Sequence, residues 1–418
     1  MAYTETTSTS WFDRLGASFR GIGFGIVMII AGTIVLWWNE GNFVGTEDAL
    51  REAQSVTQEL GDITKLDNAK NGMLVHATGP VETKDMLSDP VFGLSINAIR
   101  LERTVEFYQW VEKSKSEKKK KLGGGEETVT TYTYEQQWVN KPEDSSAFKD
   151  PDARVRNRNF TLANIESFKT QAANVTFGAY KFPEFLINAI GGAASLSVVM
   201  PEKAQAALNQ QLIRALQREL EVGERVQQNA EAALRKPGAN TEMVHFSGNT
   251  VLLSDSPGTP RIGDVRVSFK ETRPGTVSIL AKLNGNTFET YRASNGKTVS
   301  ELSMGTHSLE NMYGDAHSAN TIMTWILRAV GAFLAVFGLK LIVAPLAVLA
   351  DVIPLLGTIV GAGAGLVCIL LGLAWSLVII AIAWLRFRPL IGGGILAVAA
   401  VLIALLYVKG HSRKVAKA

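Results

Sequence analysis

The sequence predicts an α+β membrane protein. Four transmembrane helices frame a large luminal or extracytoplasmic β-rich domain, itself made of two related β units and a long helical insertion. Three observations predict it. Apolar residues gather in two blocks near the chain ends, the middle has an ordinary soluble composition, and one strand–turn–strand pattern occurs there twice.

The first block, GIGFGIVMIIAGTIVLWW at residues 21–38, holds no charge. About 20 such residues cross a bilayer core, and the Trp37–Trp38 pair suits an interfacial anchor. The second block, residues 321–408, has room for three crossings at Ile322–Val343, Leu356–Leu385 and Leu390–Val408. A re-entrant hairpin in place of one crossing is the alternative. Pro345 and Pro354 are expected to break the chain between the first two, leaving VLADVIP as a turn or re-entrant piece.

Charge orients the frame. The tail at 409–418 carries Lys409, Arg413, Lys414 and Lys417 with no acid, and Arg14 and Arg20 precede the first crossing. Both termini, residues 1–20 and 409–418, are therefore assigned to the cytoplasm. Residues 39–320 fall on the other side and are mildly acidic; from Glu40 on they hold 32 Lys+Arg against 36 Asp+Glu. Arg386 and Arg388, in the outer loop of this scheme, oppose it. The one cysteine, Cys368, excludes an internal disulfide.

Within the domain, Thr46 followed by Glu47 and Asp48 predicts the start of a helix leaving the membrane surface. The β unit at about 70–140 opens with NGMLVHATGPVE. After a turn at Ser88–Asp89–Pro90, explained by Asx-type bonding, comes a long strand to Glu112. Beyond a lysine-rich tip the chain returns as ETVTTYTYEQQWV, giving a hairpin with an aromatic side. That side is read as packed on the core, with a ligand platform as the alternative. The run Lys118–Lys121 is diluted by Glu117, Glu126 and Glu127 and is read as a solvated tip; no nucleic-acid partner is expected.

The insertion spans about 183–236. PEFLINAIGGAASLSVVM reads either as a buried hairpin or as an amphipathic piece on the bilayer. A long helix follows, with Leu208, Leu212, Leu216, Leu220, Gly223, Val226, Ala230 and Leu234 in one stripe that covers the sheet. The second β unit, at about 240–300, echoes the first. Met243–Gly248 matches Leu74–Gly79, Leu253–Asp255 matches Leu87–Asp89, and Asp264–Phe269 matches Arg100–Val105. Ser308 then caps a helix that runs into the second crossing.

Taken together, NEG after the first crossing, LSDPVFGLSINAIRLERTVEFYQWVE, TYTYEQQW, GDVRVSF, MTWILRAVG and WLRFRPL resemble the transmembrane protein 43 family, also called LUMA, from about Gly21 to Leu390. The short N-terminal tail and lysine-rich tip depart from its animal members, as in a prokaryotic or distant relative. The resemblance implies four crossings and a large outer or luminal domain. It also implies self-association in the endoplasmic reticulum and inner nuclear membrane, with nuclear-envelope partners such as emerin and lamins, if the cell is eukaryotic. In a prokaryote the bacterial inner membrane takes that place. The family carries no catalytic motif, so no catalytic residue transfers.

The chain itself shows no GxSxG, Walker, Rossmann or HExxH pattern. No cofactor is expected. His76 and His245, at equivalent positions of the two units, are the weak metal candidate; half-buried strand histidines bonded to backbone are the plainer reading. Within the membrane, Lys340, Asp351 and Arg328 form the candidate polar site. Arg328 snorkels to the surface, and Lys340 reaches the interface or Asp351. Gly21-x-x-x-Gly25, Gly357-x-x-x-Gly361 and Gly361-x-x-x-Gly365 are the candidate helix-packing positions.

These features predict a non-enzymatic multipass scaffold that self-associates and organises other membrane proteins. The alternative is a lipid-binding or lipid-handling subunit, and an ion pathway lined by Lys340 and Asp351 is a third reading. Membrane lipids and a second copy of the chain are the expected partners.

Overall fold

The structure, a computed structural model, describes residues 2–157, 160–226, 241–390 and 392–394. Three helices are long and apolar enough to cross a membrane: α1 (Trp11–Val56), α4 (Leu309–Ala350) and α5 (Pro354–Phe387). Two others, α2 (Glu184–Ala189) and α3 (Glu202–Val226), lie in the β-rich part. The fourth crossing expected at Leu390–Val408 and the basic tail at 409–418 fall almost wholly outside the described residues.

α1 starts where Ser10 Oγ accepts from the Asp13 amide at 3.1 Å, with the Asp13 carboxylate in the positive first turn. It then continues unbroken to Val56, so Thr46 caps nothing. The reason is burial. Ala49, Leu50 and Ala53 pack with Leu74, Leu280, Met312 and Tyr313, so the helix passes directly from its apolar stretch into the domain core. α4 behaves likewise in reverse: Ser308 Oγ accepts from the Asn311 amide at 3.2 Å, as expected, and the helix runs on to Ala350. Pro345 does not end it. Residues 351–353 make a short turn between α4 and α5, whose first turn takes Pro354, so of the two readings of VLADVIP the structure has the turn, set between helix ends.

Two mainly antiparallel sheets dominate the domain. The first runs in the order Ala2–Thr9, Glu126–Val139, Arg100–Lys120, Val265–Thr272, Thr250–Leu253, Val244–Ser247. Leu101, Val105 and Phe107 alternate onto one face with Val265, Val267, Phe269, Val251 and Leu253. Leu208, Leu212 and Leu216 of α3 cover that face, as the leucine stripe predicts; Gly223, Val226, Ala230 and Leu234 lie outside the described side chains.

The second sheet runs Tyr180–Lys181, Val175–Phe177, Leu74–Thr83, Gly275–Asn284, Thr287–Glu289. Its Val75, Ala77, Val277, Ile279 and Leu283 face Leu186 and Ile187 of α2, while Leu74 and Leu280 face α1 and α4. The segment 183–200 is anchored in the domain at its apolar positions, Leu186, Ile187 and Ile190 filling one core and Val198 and Met200 the other, while Gly192–Ser195 and Val199 are exposed. Buried Arg100 accounts for the local loop by donating to the carbonyls of Ile187, Asn188 and Ile190.

The two β units do not form two bodies. Leu74–Thr83 and Val244–Ser247, equivalent in sequence, belong to different sheets, and each sheet mixes strands from both halves. Hydrophobic patterning sets which face of a strand is buried but leaves its neighbour open. One trace of the repeat survives: the matched residues Thr104 and Ser268 lie directly opposite each other where the two equivalent strands pair.

The hairpin Arg100–Lys120/Glu126–Val139 is present in full. Its aromatic side is partly a small core: Tyr134 packs with Phe148 and Ala153, and Trp110, Tyr132 and Tyr3 flank them. The unexpected element is Ala2–Thr9, which pairs with Glu126–Thr133 along the outer edge of that hairpin. Residues 2–20 are therefore no free tail. The charge rule put this strand and its partner on opposite sides of the bilayer, yet one hydrogen-bonded sheet joins them. The two assignments are compatible only where the ribbon passes the membrane layer enclosed by protein or water.

Candidate functional site

Two polar clusters mark the two ends of the spanning helices. At the domain end, Glu40 of α1 is 1% exposed. Arg328 of α4 grips it through both carboxylate oxygens, Nε to Oε1 at 2.6 Å and NH2 to Oε2 at 2.8 Å. Trp384 Nε1 of α5 donates to the same Oε2 at 2.8 Å. The guanidinium lies over Trp325 at 4.8 Å and Trp384 at 5.7 Å, so its faces are covered as well as its edge. Asn39 Nδ2 adds a bond to the Thr324 carbonyl at 3.1 Å. Arg328 thus does not snorkel to solvent. A fork-to-fork pair satisfies a buried guanidinium in a way that a lysine at this position would not.

At the opposite end Asp351, also 1% exposed, joins two cations. Arg14 NH2 reaches Oδ2 at 2.6 Å and Lys120 Nζ reaches Oδ1 at 2.5 Å. Arg14 also donates to the Gly124 carbonyl and lies 3.6 Å from Glu126. Trp11 Nε1 donates to the Val348 carbonyl at 2.9 Å, and the Gly123 amide to that of Val352 at 3.1 Å. The lysine-rich tip is accordingly fastened to the turn between α4 and α5, although Lys118–Lys121 remain exposed as expected.

Lys340 does not meet Asp351. Both are on α4 or its cap, eleven positions and roughly 16 Å apart at 1.5 Å per residue. Lys340 is exposed on the helix, and no hydrogen bond or ion pair engages it among the described residues. The predicted trio is therefore split three ways: Arg328 at one end, Asp351 at the other, Lys340 between them.

Glycine packing is real but sits elsewhere than most of the expected motifs. A Cβ on Gly25 would meet the Gly338 carbonyl at 2.6 Å, and one on Gly32 the Gly331 carbonyl at 2.8 Å. These two crossings, one heptad apart, bring the backbones of α1 and α4 together. Gly21 is looser, with Leu341 at 3.9 Å, and Gly361 meets only Ala347 at 3.8 Å; Gly365 has nothing within 4 Å. Gly357 is needed for another reason: a Cβ there would collide with Asp351 Oδ1 at 1.8 Å. Gly372, against Val336, makes the close approach of α5 to α4.

The histidine pair fails as a metal site. His76 Nε2 lies 3.0 Å from the His307 carbonyl and Nδ1 2.8 Å from the Glu59 carboxylate, while His245 Nε2 is 3.0 Å from the Ser254 carbonyl. The two rings stand in different sheets, and no cluster of three or more His, Cys, Asp or Glu ligands occurs among the described residues. Asp89 behaves as predicted, its Oδ1 accepting from the Val91 amide at 3.0 Å; its Oδ2 also pairs with buried Arg103 at 2.7 Å.

Comparison with known proteins adds the family. The family model described as Transmembrane protein 43 matches residues 107–389. The chain is 26% identical to Transmembrane protein 43 of Rattus norvegicus over 413 residues, covering 96% of this chain and 93% of the relative. The Homo sapiens protein of that name is 26% identical over 92% of this chain and 89% of its own length. The Drosophila melanogaster homolog is 26% identical over 89% and 90%. No solved structure matches. Continuous apolar helices, the Glu40–Arg328 clamp built from NEG and MTWILRAVG, and a family match over most of the chain lead to one statement: this is a membrane protein of the transmembrane protein 43 family.

Proposed function

We propose that this protein is a non-enzymatic membrane scaffold that self-associates and holds other membrane proteins through its β-rich domain. The observation that carries the reading is mechanical. α1 and α4 pass from their apolar stretches into the domain without a break and end in one core with Leu74 and Leu280. A domain built onto two helices, with those helices clamped at both ends by buried ion pairs, moves with the bundle as one body. That rigidity suits a platform that sets the position of its neighbours. Chemical crosslinking of tagged chains in native membranes tests it. Self-capture together with a reproducible set of membrane neighbours supports the scaffold; a chain that captures neither itself nor any neighbour overturns it.

A second reading, lipid handling, draws on Lys340. An exposed ammonium between the two polar ends of a spanning helix needs an anionic or polar partner. A lipid class retained through purification and lost in Lys340→Ala would favour it. The ion pathway loses its proposed lining, because Asp351 is already engaged by Arg14 and Lys120.

A further inference from the structure

The ribbon formed by Ala2–Thr9, Glu126–Thr133 and Lys113–Lys120 has two free edges. On the hairpin side, Asp264 and Gly263 bond the backbone of Tyr108, and the Asn157 side chain closes Trp110 with bonds of 2.8 and 2.9 Å. From Lys113 to Lys120 every residue is exposed, and among the described residues no strand lies beside that edge. Ala2–Thr9 pairs on one side only. Open edges present unpaired backbone groups that recruit another strand.

The ribbon is also fastened beside the membrane helices. Its tip sits on Trp11 and Asp351, and its root, Ile99, belongs to the core under the sheet that holds α1. Arg100 to Lys120 spans ~66 Å at about 3.3 Å per residue. Trp11 to Ala53 spans ~63 Å of helix at 1.5 Å per residue. The two elements have about the same length and meet at the tip; a ribbon that returns alongside α1 puts Lys113, ~23 Å from the tip, level with about Ile26 in the apolar stretch. A polar edge at that depth must be enclosed by protein or face enclosed water.

The two edges match each other. Ala2 and Lys113 both lie opposite Thr133, and Thr9 and Lys120 both lie opposite Glu126, so the edge strands are level, equally long and run toward the same tip. Lys113–Lys120 carries five lysines and one glutamate, with Lys113, Lys115, Lys118 and Lys120 paired to carboxylates of their own chain, whereas Ala2–Thr9 carries Glu5 and no base. Two lysine edges repel; a lysine edge and an Ala2–Thr9 edge do not.

Resting on the self-association reading, we propose that the occupant of each edge is a second copy of this chain. Ala2–Thr9 of one copy pairs in parallel with Lys113–Lys120 of the next, head to tail around a closed ring, with the apolar helices outside and the polar ribbons within. A head-to-tail contact of unlike edges builds a ring without needing a two-fold axis.

The test uses full-length protein with Cys368→Ala. One tagged chain carries a cysteine moved through Tyr3, Glu5 and Thr7, which share the sheet face of Ser116; a differently tagged chain carries Ser116→Cys. The two are co-expressed, oxidised in native membranes and analysed for mixed disulfides, which require Cα atoms roughly 4.4–6.8 Å apart. Native mass spectrometry of the same proteins reports the oligomer. An oligomer with mixed disulfides at one or two scanned positions is the expected result. Glu5→Lys should then weaken assembly at least tenfold, and Lys118→Glu, on the same sheet face as Glu5, should restore part of it. An oligomer without disulfides at any position overturns the ribbon contact while leaving self-association standing. A monomer overturns both, and a ribbon protected only by retained lipid, with no disulfide, also overturns the ribbon contact.

Discussion

Glu40 and Arg328, 288 positions apart in sequence, form a two-bond ion pair at 2.6 and 2.8 Å where the spanning helices enter the domain. Removing one partner of such a buried pair leaves the other charge uncompensated, at a cost of about 3–5 kcal/mol. Glu40→Gln and Arg328→Met should each lower the unfolding temperature in detergent, followed by tryptophan fluorescence. The double variant should lose less than the sum of the two. Additive losses would mean that the residues act independently.

The glycine seam gives a contrast between positions that look alike in sequence. Gly25→Val forces a side chain into the Gly338 carbonyl, and overpacking of this kind costs roughly 1–3 kcal/mol. Gly365→Ala meets nothing within 4 Å inside α5 and should cost no stability, with helix propensity favouring Ala by up to about 1 kcal/mol. Thermal unfolding of the two variants side by side checks this. Equal losses would contradict the α1–α4 seam.

Asp351 holds the ribbon tip. Asp351→Asn removes the charge that joins Arg14 to Lys120, so the tip should open more often. Hydrogen exchange at Lys118–Glu127 should accelerate at least tenfold, with exchange at Val265–Thr272 unchanged. Uniform acceleration would indicate global destabilisation instead.

Much of this architecture was legible in the chain. Eighteen uncharged residues at 21–38 gave the first span, period-2 alternation gave the hairpin, and Ser308 marked the start of α4. What escaped is long-range or locally ambiguous. Nothing near Arg328 names Glu40 as its partner, although an acid two residues after Trp38 was an available signal. Ala2–Thr9 is polar, yet its Thr and Tyr content favours a strand. Small-residue motifs at a four-residue spacing do not reveal the seam, because Gly25–Gly32 and Gly331–Gly338 repeat at seven. Local chemistry permits a cap at Thr46; the hydrophobic core at Ala49, Leu50 and Ala53 decides against it. The division into sheets is not legible because alternation fixes a face and not a neighbour.

A pH dependence follows from Asp264. Burial pushes its carboxyl up from 3.8 to about 7, despite bonds accepted from Ser254 Oγ and the Arg261 amide at 2.8 Å each. The folded state therefore holds this proton more tightly than the unfolded chain. The resulting stability is fully present below about pH 4 and is lost as pH rises toward 7. Asp264→Asn keeps an oxygen for both bonds and cannot ionise. It should flatten this part of the unfolding-temperature profile and stabilise the protein at neutral pH. An unchanged slope would show that other groups set it.

The central claim is self-association through a rigid membrane frame, and native mass spectrometry from mild detergent tests it most directly. The account predicts one defined oligomer, converted to smaller species by Glu5→Lys. A monomer that keeps a single lipid class at fixed stoichiometry would contradict it and place lipid handling, with Lys340 as its first residue, ahead of the scaffold.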